Sequence, residues 1–212
     1  MRICLPILLA LSFTGGSALA QGALAQGKVR TETIRPPAAG QKFQNDGHVA
    51  APDAAKGRLP EIIANPARLP PAVAKMRERI LAAARSGEPG RLLAVMKAGE
   101  AMPVFSFSDD ADPITFWKAN YPDSDGVEAL AILVNVLETP FVHVDVGTPQ
   151  EIYLWPYFAR IPLKALTPAQ RVELFRIVTG ADYKDMVEFG VYSFYRIGIA
   201  PDGSWQFFVA GD

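Results

Sequence analysis

The chain has 212 residues, half of them hydrophobic, with 21 basic and 22 acidic side chains for a net charge of −1. That balance excludes the concentrated basic face on which nucleic-acid binding depends. A single cysteine, Cys4, excludes any intramolecular disulfide.

Met1 and Arg2 form a short basic start, an apolar run follows from Ile3, and Ala18-Leu19-Ala20 precedes Gln21. Basic end, apolar middle and small-x-small exit are the layout of a secretory signal peptide over residues 1–20. The competing reading is an uncleaved anchor, because the charge-free window approaches the ~18 residues of a minimal span. Ser12, Thr14, Gly15, Gly16 and Ser17 dilute its second half and favour cleavage. Ala-Leu-Ala-Gln-Gly occurs twice in succession, so a second exit lies after Ala25. Cys4 stands near the start of the apolar run rather than after its small-residue end, which argues against a lipid-modified cysteine. The expectation is a periplasmic or secreted protein with no stable membrane anchor once the leader is removed. Loss of Arg2 then takes the basic count from 21 to 20 against 22 acidic side chains.

Residues 21–69 are rich in Ala, Gly, Pro and Gln without an apolar period of 2 or 3.6. Such a segment buries too little apolar surface to offset its ordering entropy and reads as a disordered linker. Leu59 to Ile63 is the stretch within it able to dock on a domain. His48 falls in this linker, away from any site.

One folded domain is expected over residues 70–212. Val73, Met76, Ile80, Leu81 and Ala84 mark a helix that begins at Pro70-Pro71 and stops at Gly87. A second helix spans about 91–98 and stops at Gly99. Ala83 to Gly87 with Leu92, Leu93, Val95, Met96, Ala98 and Gly99 resembles the helical hairpin of one ankyrin repeat. The match has no second copy, so an ordinary αα-hairpin is the reading adopted. Val104 to Phe107 is a strand candidate. Asp109 and Asp110 precede Asp112-Pro113, the N-cap and first residue of a helix carrying Ile114 and Trp117. Asp123-Ser124-Asp125-Gly126 invites a calcium loop, but with Gly126 at the sixth position Tyr121 and Ile132 occupy the first and twelfth, where neither can ligate. Capping of the next helix is the better role. That helix, about 127–138, carries Leu130, Leu133, Val134 and Leu137 on one stripe and apolar residues elsewhere, so it is the expected central helix.

Phe141 to Val146 alternates, with Phe141, His143 and Asp145 on one face of a strand and Val142, Val144 and Val146 on the other. Glu151 to Trp155 is its hairpin partner. Thr167 to Gln170 is a capping box for a helix running to Thr179, and a shorter helix covers 182–189. Residues 191–199 and 204–209 flank the Pro201-Asp202-Gly203 turn as the clearest hairpin. Pairing Ile199 with Trp205 assigns Tyr195, Ile197, Ile199, Trp205, Phe207 and Val209 to the core. Tyr192, Phe194, Arg196, Gln206, Phe208 and Asp212 fall on the opposite face, and a one-residue slip exchanges the two sets. The fold class is therefore α+β, with helices mainly first and an antiparallel sheet mainly second.

Fourteen of the 21 aromatic residues lie beyond Pro140; the favoured reading is that they fill the core under the helices, and the alternative is an aromatic sheet face that binds an envelope glycan, peptide or protein partner. The candidate contact set is His143, Asp145, Tyr153, Trp155, Tyr192, Arg196 and Asp212. Catalytic signatures for serine, cysteine, zinc and phosphate-loop enzymes do not occur, so no catalytic residue, metal or cofactor is assigned. Phe194 to Ile199 and Asp202 to Asp212, with Ile152 to Tyr157, resemble a family of uncharacterised exported bacterial proteins; the likeness implies a periplasmic setting and no activity. The expected function is a non-enzymatic periplasmic module binding an envelope component or partner. The alternatives are a cell-wall hydrolase working through Asp145, Glu151 and Asp212, and a structural envelope protein.

Overall fold

A computed structural model of the chain describes residues 59–108 and 112–211. The leader with both exits, the linker up to Arg58 with His48, Asp109, Asp110 and Asp212 lie outside the described residues.

The first half is helical: α1 (Pro71–Arg85), α2 (Pro89–Lys97), α3 (Pro113–Asn120) and α4 (Val127–Leu137). Proline occupies the first turn of α1, α2 and α3, where its missing N–H costs no helical bond. Asp112 caps α3 as expected, its Oδ2 accepting from the Thr115 N–H at 2.9 Å. Of the Asp-Ser-Asp-Gly turn, Ser124 serves α4, its Oγ accepting from the Glu128 N–H at 3.1 Å. The buried face of α4 is Ala129, Leu130, Leu133, Val136 and Leu137, with Val134 only half-buried.

The second half builds β1 (Val142–Val144), β2 (Ile152–Trp155), α5 (Pro168–Leu174), α6 (Gly180–Phe189), β3 (Arg196–Ile199) and β4 (Trp205–Val209). The four strands form one antiparallel sheet in the order β1-β2-β3-β4, so the fold is α+β. α5 ends five residues sooner than its periodicity suggests. Thr179 and Asp182 form a second capping box that starts a new helix at Gly180, so that glycine opens α6 rather than closing α5.

Period 2 splits the sheet between two apolar layers. Phe141, Tyr153, Trp155, Ile197, Ile199 and Phe208 pack with α1 to α4. Val142, Ile152 and Leu154 pack with Leu174 of α5, Met186 of α6 and the 3-10 turn Tyr157–Arg160. Both faces are thus covered by helical layers, and the sheet aromatics fill the core.

Two registers differ from the sequence reading. β3 and β4 pair Ile199 with Trp205 but Gly198 with Phe207, so Gln206 is an extra residue in β4. This bulge moves Phe208 into the α1–α4 core, against Tyr195 at 4.7 Å and Trp117 at 6.2 Å. Phe207 turns to the other face over Gly198, where a Cβ would lie 2.5 Å from its ring and 2.4 Å from Ile152 Cδ1. The second difference is at Val104–Phe107, which contributes one parallel bridge, Val104 to Phe207, instead of a strand.

The packed chain also begins before Pro70. Ile63 and Phe141 exchange backbone hydrogen bonds of 2.8 and 3.0 Å, and Ile63 and Leu69 are buried in the core. Composition hides this because three or four apolar side chains suffice to dock a short segment. Ile63 on β1 and Val104 on β4 cap part of each outer edge, one way of blunting a sheet against edge pairing.

Candidate functional site

Among the described residues, expected contact residues converge at the β1–β2 hairpin. His143 stands opposite Tyr153 in the register, and their rings stack at 4.1 Å with planes 8° apart. His143 Nε2 lies 2.8 Å from Glu151 Oε1, while Glu151 Oε2 accepts from the Gly147 N–H at 2.8 Å. Asp145 and Gly147 adopt left-handed backbone with φ 57° and 77°, which turns the chain sharply after Val144 and truncates the strand expected to reach Val146. The Thr148 N–H and hydroxyl both donate to the Asp145 carbonyl, closing that turn.

Arg160 completes the cluster. Its side chain is 6 % exposed and its Nη2 donates to Asp145 Oδ2 at 3.0 Å. A guanidinium this deep requires such a partner, since desolvating a lone charge is far costlier than pairing it. Its sequence signal was available: Arg160 is the one charged side chain in the run Ile152 to Leu163, and a cation within an apolar stretch points to a buried ion pair.

The Gly147 N–H, and then His143, hold the Glu151 carboxyl below the usual carboxylate range, so it is ionised at neutral pH. The general acid of a glycan hydrolase needs the opposite shift, which argues against that role for Glu151. Burial pushes the Tyr153 phenol up, and burial with a hydrogen bond to Glu173 pushes Tyr157 up further.

Trp155, Tyr192 and Arg196 do not join this cluster. Trp155 is 1 % exposed in the α1–α4 layer, the side on which Tyr153 is buried beneath His143. Tyr192 is buried in the opposite layer and donates its hydroxyl to the Tyr195 carbonyl at 3.1 Å, and Arg196 is buried on β3. The sheet separates Trp155 from Tyr192, and packing encloses all three. Asp212 lies outside the described residues. Among the described residues no group of three or more His, Cys, Asp or Glu side chains is placed to hold a metal ion, and no helix is long and apolar enough to cross a membrane.

Among the described residues, apolar side chains also meet solvent along open grooves. One, of about 260 Å³, is lined by Leu59, Pro60, Ile62, Ile161, Pro162, Ala165 and Gln170, with Leu59 58 % and Ile62 38 % exposed. It falls below the ~300–1,000 Å³ of usual small-molecule sites and contains no charged side chain, a lining suited to one or two apolar side chains of a polypeptide. Another runs between the end of α1 and α4.

The arrangement is that of an α+β domain whose sheet is covered on both faces and whose polar hairpin is internally paired. No protein-family model, no curated protein and no solved structure matches this chain.

Proposed function

We propose that the protein is an exported, non-enzymatic module of the bacterial envelope that binds a protein partner through the groove beside Leu59 and Ile62. The observation that carries this reading is the groove itself: two large aliphatic side chains stand exposed against Ile161 and Pro162. Apolar area without charge is the composition of an interface core, where a partner's side chains replace water. The leader pattern of residues 1–20 supports the export part, and the resemblance of the C-terminal pattern to exported bacterial proteins agrees with it. The acid and base groups of the hairpin support a binding rather than catalytic role, since Asp145 and Glu151 are committed to Arg160, His143 and Gly147.

The test places a photo-reactive side chain at Ile62 in the full chain expressed in a bacterial host, with the same probe at exposed Val172 as control. A defined crosslink to one envelope protein from position 62, absent from 172 and lost with Leu59→Asp, is the expected result. Purified cell wall incubated with the protein should stay chemically unchanged. Release of soluble fragments that disappears in Glu151→Gln or Asp145→Asn overturns this reading in favour of a hydrolase. Recovery of the chain with Met1 intact from the cytosol overturns its export.

A further inference from the structure

α4 is apolar nearly all round, and among the described residues nothing covers its outer side. Eleven residues, Val127–Leu137, contain only Glu128 and Asn135 as polar side chains. One side supplies the core through Ala129, Leu130, Leu133, Val136 and Leu137. The other presents Val127, Ala131, Val134 and Asn135, an i, i+4, i+7, i+8 stripe. Val127 is 41 % exposed, Ala131 is exposed and Val134 half-buried. With Ala84, Arg85 and Gly87 from the end of α1, these residues line an open groove of about 310 Å³. A helix apolar on both sides is ordinarily enclosed on both. Ala131 at the middle of the stripe and Gly87 on the groove wall are small enough to let a second helix approach closely.

We propose that this face is a two-fold interface between two copies of the chain, with the α4 helices antiparallel and crossing at Ala131. The charges choose both the occupant and the direction. Glu128 is an exposed carboxylate in the first turn of α4, and Arg85 lines the groove on its way to an ion pair with Glu138 at 2.5 Å. Antiparallel pairing about Ala131 brings position 128 of one copy to the level of position 134 of the other, the stretch of groove that Arg85 borders. Each Glu128 then meets Arg85 of the other copy, twice by symmetry, and Val127 and Val134 fill the groove between. A parallel pairing sets Glu128 against Glu128 and leaves Arg85 without a second carboxylate. Because the helix is only about 16 Å long, the area is below the ~800 Å² per partner of standard stable complexes, and the expected association is weak. This inference concerns a different surface from the Leu59 groove and stands independently of it.

Sedimentation velocity of the purified protein over about 5–500 μM tests it. The wild type should pass from monomer to dimer across that range. Ala131→Arg, at an exposed helical position that the fold does not need, should hold the protein monomeric throughout, with an unchanged circular dichroism spectrum. Glu128→Arg should raise Kd by tenfold or more, and combining it with Arg85→Glu and Glu138→Arg, which keeps the 85–138 pair opposite in sign, should bring it back towards the wild-type value. A monomer at every concentration overturns the proposal and leaves the face to a different partner. A dimer indifferent to Ala131→Arg overturns the location, and failure of the charge exchange to restore association overturns the antiparallel geometry.

Discussion

Asp145 combines left-handed backbone with a charge held against a guanidinium that is almost fully buried, so its replacement separates local conformation from electrostatics. Asparagine tolerates the same backbone region, and Asp145→Asn therefore removes only the charge. It weakens the pairing of the Arg160 guanidinium in a poorly solvated position, and we expect a loss of about 1–3 kcal/mol in urea unfolding, below the 3–5 kcal/mol of fully buried pairs. Glu151 acts through pH. Its carboxyl is depressed in the folded protein, first by the Gly147 N–H and then by His143. Its contribution is therefore present above the unfolded value near ~4.3 and is lost as pH falls through the folded value. Calorimetric scans should show Glu151→Gln melting below the wild type at pH 6–7, with the gap closing as pH approaches 3. A gap constant across that range contradicts the assignment. At this scale the sequence pointed to residues that one hairpin gathers. His143 meets Glu151 and Asp145 meets Arg160, because a short hairpin brings strand residues together whatever their task, whereas Arg160 was not among the residues expected.

Among the elements, those carrying their own stop and start chemistry were the legible ones. Pro71, the Asp112 cap, the Thr167 box and the Pro201-Asp202-Gly203 turn all act where local chemistry places them. Thr179 with Asp182 was equally readable as a box but was masked by the glycine between them, which resembles a helix stop. Thr179→Ala should cost about 1 kcal/mol, measurable by urea unfolding. The β4 bulge was not legible, because alternation fixes faces only once register is known. Gly198 was its one trace, since a glycine inside a strand marks a close approach. Gly198→Ala should destabilise by about 1–3 kcal/mol by forcing the Phe207 ring and Ile152 apart. Combining it with Phe207→Leu should recover part of that loss, because the two residues share one space. A fully additive pair contradicts the bulged register.

For the whole molecule, the count of layers decided what composition could not. A high aromatic load on a sheet fits an open binding face or two buried ones equally well, and the difference is whether the α5–α6 segment folds back over the strands. It does, through Leu174, Val178 and Met186 against Val142 and Leu154, and the aromatics become interior on both sides. The same accounting fixes where the domain starts. A polar, proline-rich composition argues for a linker through Leu69, yet Ile63 is 7 % exposed and bonded through its backbone to Phe141 at the open edge of β1. If residue 63 belonged to a linker, truncating it would leave stability unchanged, whereas a core isoleucine typically loses 2–5 kcal/mol on truncation to alanine. At a sheet edge, where neighbours can relax into the space, we expect about 2 kcal/mol for Ile63→Ala. Leu59→Ala, at a side chain 58 % exposed, should stay within about ±0.5 kcal/mol, as surface substitutions do. Urea unfolding of the two variants side by side measures where folding energy enters the chain, and equal, negligible effects would return the boundary to Pro70.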